Sequence, residues 1–265
     1  RCDHGKWRPD SLRSNQWSLL MDKMVILAAQ GAKAAIARQD NVATNLANAD
    51  TDGFRAQVLS FRSAPIEGIN GSDVRVHGVD TLVGYDFNPG PIKTTDRDLD
   101  LAIDGPGFFT VRRPDGTEGY TRSGSFQINQ DGVLVSNAGL PLLDEAGGEI
   151  EVPENTRVSF TRDGQLVSLD DEGNLIEQVA RLKTVSPDST QIEKAPDGLF
   201  VQRNGRNAPF NEFVVTVPAA IEGSNSNLSE LMVQMIEAQR SFEHNMKIIS
   251  TSDSNAQAAN NLYSI

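Results

Sequence analysis

Cysteine is almost missing: the 265-residue chain has one, Cys2, which excludes an internal disulfide framework and any cluster of thiolate metal ligands. Histidine is nearly as scarce. His4, His77 and His244 are too few and too scattered for a catalytic constellation, and His244, on the polar side of a helical segment, reads as solvent-facing. No apolar run approaches the roughly 18 residues that cross a bilayer, stretches such as Met24 to Ala29 falling far short. Residues 1–20 mix charge, two Trp and polar side chains without the continuous apolar core of a secretory leader. No direct membrane insertion is expected, and any export must use a route that needs no such leader.

Basic residues are outnumbered. Lys and Arg total 24 against 36 Asp and Glu, a net charge of −12 and a pI near 4.7, so the average surface repels phosphate backbones and anionic lipid. Nucleic acid is therefore not an expected partner. Aromatic residues make up 6% and offer no platform for a sugar ring, which leaves paired carboxylates for glycoside hydrolysis without support. Neither a G-x-S-x-G elbow nor a G-x-x-x-x-G-K-[ST] phosphate loop occurs. Asp96-Arg97-Asp98-Leu99-Asp100 has the one-three-five spacing that opens a calcium loop, but Leu101 and Gly107 stand where glycine and an acidic ligand are needed. Its carboxylates read as strand residues facing water. Cys2 and His4 supply at most half of a tetrahedral metal site. No catalytic residue, cofactor or metal is assigned, and the chain is not expected to be an enzyme.

What is present is an arrangement. With 22 Gly, 12 Pro and 38% hydrophobic residues at a mean hydropathy of −0.36, the composition suits many turns around a modest core. From Asp22 to Asn48 there is no Pro and one Gly. Val25, Ala28, Ala32, Ala35, Val42, Leu46 and Ala49 recur three and four apart, broken only by Gln39. The spacing predicts a helix with a coiled-coil stripe, ended by the turn formers Ala49-Asp50-Thr51-Asp52-Gly53. Residues 61–91 are rich in Gly and Pro and read as an extended connector with minor strands.

From 92 to 217 the pattern is β. Leu99, Leu101 and Ile103 alternate with Asp98, Asp100 and Asp104, the period of a strand with one buried face. Turn signals recur at Pro114-Asp115-Gly116, Gln130-Asp131-Gly132, Arg162-Asp163-Gly164, Glu172-Gly173 and Pro196-Asp197-Gly198. The phrase D-G-x-L-V-S occurs at 131–136 and again at 163–168. Beyond Pro218, Leu228, Met232, Met235, Phe242, Met246, Ile249 and Ala256 form a second heptad stripe. Ser226 or Asn227 is placed to cap it and Glu230 to answer the cap, while Gln239 and Asp253 read as buried polar positions that set register.

The expected fold is α+β. An N-terminal helix in 21–60 and a C-terminal helix in 218–265 pair as a coiled-coil-like layer, with a central, mainly antiparallel β domain at 92–217 and residues 1–20 as an extension. The small residues of the first stripe bury little area alone. The two helices must therefore meet each other, other copies, or both.

Three blocks carry a resemblance. Thr44-Asn45-Leu46-Ala47-Asn48-Ala49-Asp50-Thr51-Asp52-Gly53-Phe54-Arg55 comes first. Leu99 to Phe109 follows, with Tyr120-Thr121-Arg122-Ser123-Gly124-Ser125-Phe126 and Asn129-Gln130-Asp131-Gly132. Ser224-Asn225-Ser226-Asn227 leading to Met235-Ile236-Glu237-Ala238-Gln239-Arg240-Ser241-Phe242-Glu243 closes the set. In this order they resemble the bacterial flagellar rod, hook and hook-associated axial family, with Thr44 in place of the first Asn of the family's N-N-L-A-N signature and Ser226 where Val is common. The resemblance runs from Met21 to about Leu262, which implies that translation starts at Met21 and that residues 1–20 have no role.

The resemblance implies a non-enzymatic building block of the basal-body rod, located in the periplasmic space and exported by the flagellar type III apparatus. Its partners would be other flagellar rod proteins and copies of itself. The implied assembly interface comprises Val25, Ala28, Ala32, Ala35, Val42 and Leu46 on the first helix, and Leu228, Met232, Met235, Phe242, Met246 and Ile249 on the last. Asn45, Asn48 and Gly53 would shape the first helix's end, Phe54 would anchor the next segment, and Arg55 would contact the connector or a neighbour. The rival from another class is a β-rich surface adhesion module trimerised by its end helices. The long uninterrupted heptads or anchoring segment that it needs are not visible.

Overall fold

The computed structural model describes residues 11–65, 77–153, 156–170 and 174–263. In chain order the elements are α1 (Ser11–Ala47), β1 (Gln57–Pro65), β2 (His77–Tyr85), β3 (Ile92–Thr94), β4 (Leu101–Asp104), β5 (Phe108–Arg112), β6 (Glu118–Thr121), β7 (Phe126–Ile128) and β8 (Leu134–Ser136). They continue with β9 (Arg157–Phe160), β10 (Gln165–Leu169), β11 (Leu175–Arg181), β12 (Thr184–Val185), β13 (Ile192–Lys194), β14 (Phe200–Gln202), β15 (Val215–Pro218), β16 (Ala220–Glu222) and α2 (Leu228–Tyr263). Cys2, His4 and the Glu172-Gly173 turn lie outside the described residues.

Two units result. The first holds α1 as far as Leu46, the β1–β2 pair and α2. Here α1 is already helical at Ser11, upstream of the start that its periodicity gives. It stops at Ala47, ahead of the predicted turn. α2 begins at Leu228, directly after the Asn227 cap position, with Glu230 in the first turn, where the helix dipole favours a negative charge. The helices approach closely: a Cβ on Gly31 would lie 2.6 Å from Asn245 Oδ1. The stretch read as an extended connector contributes most of a two-stranded sheet, since β1 and β2 are each nine residues long and pair with one another.

The second unit holds residues 47–56 and 85–227. Its five-stranded sheet runs β12-β5-β6-β14-β13 and a three-stranded sheet runs β11-β10-β9. The pairs β15–β4, β16–β3 and β7–β8 complete it, and every one of these pairings is antiparallel. Alternation along β5 feeds two cores: Phe109 and Val111 enter the larger, with Leu101, Ile103, Leu134 and Leu166, whereas Phe108 enters the smaller, with Tyr120, Ile192 and Phe200. The repeated D-G-x-L-V-S phrase thus has one physical purpose. Each copy turns on a glycine with positive φ, Gly132 at 77° and Gly164 at 70°, and drives its leucine into the same core.

One acidic residue departs from the alternating pattern. Asp100 was expected on a water-facing side, yet it is buried. It precedes β4, in a turn closed by its own N–H donating to Arg97 O at 3.1 Å. Its Oδ2 accepts from Thr95 Oγ1 at 2.6 Å, and Oδ1 lies 3.6 Å from Arg97 Nη1. A turn need not alternate, and local partners compensate the buried carboxylate.

Leu166, wholly buried in the shared core, should cost about 2–5 kcal/mol of unfolding free energy on substitution by Ala. Leu175→Ala, at a site 63% exposed, should stay within about 0.5 kcal/mol. Urea denaturation of the two variants measures both, and equal losses would contradict the core assignment.

Candidate functional site

The segment that follows α1 is built from side chains imitating backbone. Asn45, buried at the end of α1, donates from Nδ2 to Gln57 O at 2.9 Å and accepts from Gln57 N at its Oδ1 at 2.8 Å. Its carboxamide thereby supplies a ladder rung for the first residue of β1, a task that needs a donor and an acceptor together. Asn48 starts the turn: its carbonyl accepts from Thr51 N at 3.1 Å and its Oδ1 from Thr51 Oγ1 at 3.2 Å. Gly53 is required twice over. Its φ is +68°, and a Cβ would run into the Arg122–Ser123 peptide, while its N–H donates to Glu222 O at 2.7 Å.

Phe54 is buried beneath Lys194, whose Nζ lies 4.8 Å from its ring centroid, 5.4 Å from that of Tyr85 and 5.9 Å from that of Phe200. Burial lowers the lysine's pKa, and the facing rings favour its charged form. Ala56 N donates to Asn225 Oδ1 at 2.7 Å, and Asn225 Nδ2 donates to Asp86 O at 2.9 Å and Asn88 O at 3.1 Å. One amide side chain therefore ties residue 56 to the segment after β2.

Arg55, expected at the connector or a neighbour, has its side chain fully buried and paired with Glu222, Nη2 to Oε1 at 2.7 Å. Arg122 Nε lies 3.3 Å from the other oxygen, Oε2. Both approaches are ion pairs by distance without the alignment of hydrogen bonds. Well-formed hydrogen bonds come from the backbone: Gly90 N donates to Glu222 Oε1 at 2.7 Å, and Arg122 Nη2 donates to Gly105 O at 2.6 Å. Burial lowers the Arg122 pKa to about 10, an effect that Glu222 opposes and Arg55 reinforces. Arg122 stays cationic throughout the neutral range. Taking each such ion out of water costs several kcal/mol, so every member depends on the others.

Sequence reasoning missed Glu222, Arg122 and Asn225. The available signal was a lone acid, Glu222, after the apolar Ala220-Ile221 and before Gly223, but no periodicity links positions 55, 122 and 222.

The helix stripes divide differently. On α1, Ala28, Ala32, Ala35 and Val42 are buried, and Val25 and Leu46 are half-buried. On α2 the inward line passes through Leu231, Ala238 and Ser252, all buried, with Met235, Phe242, Asn245, Ile249 and Ala256 half-buried between and beyond them. Leu228, Met232 and Met246, from the expected stripe, are 51%, 56% and 45% exposed. Gln39, Gln239 and Asp253 are exposed rather than buried, Ala238 and Ser252 lying inward in place of the last two. At Gly31 the helices lie too close to admit a Cβ beside Asn245, the residue that faces inward in place of Met246. Leu27 and Ile36 on α1, and Val233 and Ile236 on α2, also remain exposed, an apolar surface of the kind that marks interaction sites.

Among the described residues no group of three or more His, Cys, Asp and Glu could hold a metal ion, and no helix is long and apolar enough to cross a membrane.

Comparison with known proteins meets these same residues. Residues 102–167, which include Gly105, Arg122 and both core-entering leucines of the repeat, match the family model of the flagellar hook protein FlgE/F/G D1 domain. Residues 217–262, which include Glu222, Asn225 and nearly all of α2, match that of the flagellar basal body rod FlgEFG protein C-terminal region. The chain is 36% identical over 253 residues to the flagellar basal-body rod protein FlgF of Escherichia coli (strain K12), covering 92% of this chain and 100% of the relative. Identity to FlgF of Salmonella typhimurium (strain LT2) is 35% over 253 residues, with the same coverage. Identity to the flagellar basal-body rod protein FlgG of Buchnera aphidicola subsp. Acyrthosiphon pisum is 32% over 246 residues, 83% of this chain and 92% of the relative.

Glu222→Gln keeps the side chain's shape but leaves two guanidiniums uncompensated, and should lower the unfolding free energy by about 3–5 kcal/mol. Replacing Arg55, Arg122 and Glu222 together by Met should cost less than that single change. Denaturant titration of purified variants reads both. A Glu222→Gln protein as stable as the parent would show that the carboxylate's charge is not what holds the cluster.

Proposed function

The chain belongs to the flagellar FlgE/F/G rod and hook family, and on that premise we propose that it serves as the FlgF-type subunit of the proximal rod, in the drive shaft that carries torque from motor to hook. Family members are structural, self-assembling axial proteins, not enzymes. The observation that carries the reading is the apolar surface left on paired terminal helices: Leu228, Met232 and Met246 stay in water on the single chain. Each Å² of such surface gains about 25 cal/mol when a neighbour covers it. Other rod proteins and further copies of this chain are the neighbours that would do so, and the growing tip is where uncovered helix meets uncovered helix.

Three features support the proximal over the distal rod. Met21-Asp22-Lys23-Met24 followed by Gly31-Ala32-Lys33, and Gly53-Phe54-Arg55-Ala56-Gln57, resemble the proximal member. Phe242 stands where the distal member usually has Tyr. The FlgF relatives from Escherichia coli and Salmonella typhimurium match over their whole length. The alternative within the family is a distal-rod or other axial paralogue. Export through the flagellar type III apparatus suits the chain, because a single cysteine forms no internal cross-link to hinder passage unfolded. The rod's place in the periplasmic space then follows.

Expressed in a strain lacking FlgF, the chain should restore swimming and co-purify with basal bodies, and it should not do so in a strain lacking FlgG. The opposite pattern would reassign it to the distal rod. Met232→Asp with Met246→Asp, both at exposed sites, should leave the monomer's circular dichroism and Tm within error and abolish incorporation into basal bodies. Normal swimming by a strain carrying the double variant would remove these helix faces from the assembly account.

A further inference from the structure

Phe213 is the most exposed large apolar side chain among the described residues, at 83%, and its backbone is pinned. Its N–H donates to Asn211 Oδ1 at 2.9 Å, while Asn211 N donates to Thr184 O at 2.8 Å and Asn211 O accepts from Thr184 Oγ1 at 3.0 Å. A ring on a turn tied to β12 in this way loses little freedom when a partner covers it. Val215, at the start of β15, is exposed as well, whereas Val214 and Thr216 are buried, so the ring and the valine share one side of the chain.

The surroundings of that side are acidic. Glu212 precedes the ring, and Asp104 on β4 is paired with Val215; both are exposed. Beside Thr216, whose N–H donates to Arg162 O at 3.1 Å, stand Arg162 and Asp163, also exposed. Three carboxylates against one guanidinium leave the face negative.

Its complement is the back of α2. Opposite the inward line through Leu231, Ala238, Asn245 and Ser252, the helix presents Val233, Ile236, Arg240 and Lys247, all exposed and spaced three, four and seven apart. Glu243, between the two cations, is engaged by Gln239, whose Nε2 donates to it at 3.2 Å. Phe213 and Val215 are about 7 Å apart on extended chain, and Val233 and Ile236 about 4.5 Å apart along the helix axis. Two apolar side chains can therefore meet two, with Glu212 and Asp104 left for Arg240 and Lys247. Opposite charges around such a contact set orientation and register more than affinity. The two faces differ and every copy carries both, so the contact is heterologous, the kind that repeats into rings or open helical polymers.

We propose that the Phe213–Val215 face of one copy docks on the Val233, Ile236, Arg240 and Lys247 face of α2 in a second copy. The inference rests on the family's self-assembly and not on the position in the rod proposed above.

The test uses purified full-length chains carrying Cys2→Ser, so that each has one introduced thiol. Val215→Cys in one tagged form is mixed with Ile236→Cys in a differently tagged form and oxidised with copper phenanthroline, Phe213 and both cations staying in place. A disulfide joining the two tags reports contact between copies alone. It should form about tenfold faster, or more, than one between Val215→Cys and Leu27→Cys, an exposed site on α1. Arg240→Glu with Lys247→Glu in the helix-labelled chain should slow it about fivefold, and Asp104→Arg with Glu212→Arg in the strand-labelled chain should restore it. Equal rates at Ile236 and Leu27 would overturn the proposal, as would a rate untouched by the first reversal or not restored by the second. No rod is needed, so a failure here is distinct from a failure to restore swimming.

Discussion

The Glu222 carboxylate is the constraint on which the second unit turns. Its side chain faces Arg55 and Arg122 and accepts from Gly90 N, while its backbone carbonyl accepts from Gly53 N. Three stretches of chain that are far apart in sequence, at 53–55, 90 and 122, thus converge on one residue. A buried ion pair is seldom the cheapest way to hold a protein together, because an apolar set of the same shape avoids the desolvation cost. What it adds is conditionality. With any one member displaced, the others are charges without partners, so the segment that leaves α1 has one arrangement in which Arg55 is tolerated. Gly53 narrows the choice further, since its positive φ and its contact with the Arg122–Ser123 peptide leave no space for a side chain.

The helical unit is governed by the opposite economy. Its packing face sets Ala28, Gly31, Ala32, Ala35 and Val42 on one helix against Leu231, Ala238, Asn245 and Ser252 on the other, mostly short side chains that permit approach but bury little. Larger apolar residues, Met232, Ile236 and Met246 among them, stay outside. A helix stabilised mainly by tertiary packing is weak when that packing is thin. Under the proposed rod assembly the weakness would be useful, since terminal helices with this apolar surface exposed would gain further burial only on joining neighbours.

How much of this was legible depends on how local each signal is. Asp-Gly turns, the repeated D-G-x-L-V-S phrase and the end of α1 were readable because short-range sterics and periodicity decide them, whereas β4 is buried on both faces, Ala102 included, where alternation gave it one. Glu222 was not, because its meaning lies in Arg55 and Arg122, 167 and 100 positions away, and no spacing rule spans such distances. The α2 stripe was read one residue off at Met232 and Met246 because three- and four-residue spacing counted from Leu228 leads to them, whereas the inward line runs through Leu231 and Asn245. Asp100 was misplaced for a related reason: strand alternation was extended into a turn, where local hydrogen bonds override it. The pairing of β1 with β2 was hidden by a Gly- and Pro-rich composition that is as compatible with a loop as with paired strands.

The central claim is that one unit is complete within the chain and the other becomes complete only in the polymer. Hydrogen exchange measured residue by residue on the isolated subunit and on assembled rods addresses it directly. Amides of β4, β5 and β10 should exchange slowly in both states, at rates set by global unfolding. Amides of α1 and α2 should exchange quickly in the subunit and slow by orders of magnitude in the rod. Helices as protected in the lone subunit as the β core, with no further slowing on assembly, would contradict the account.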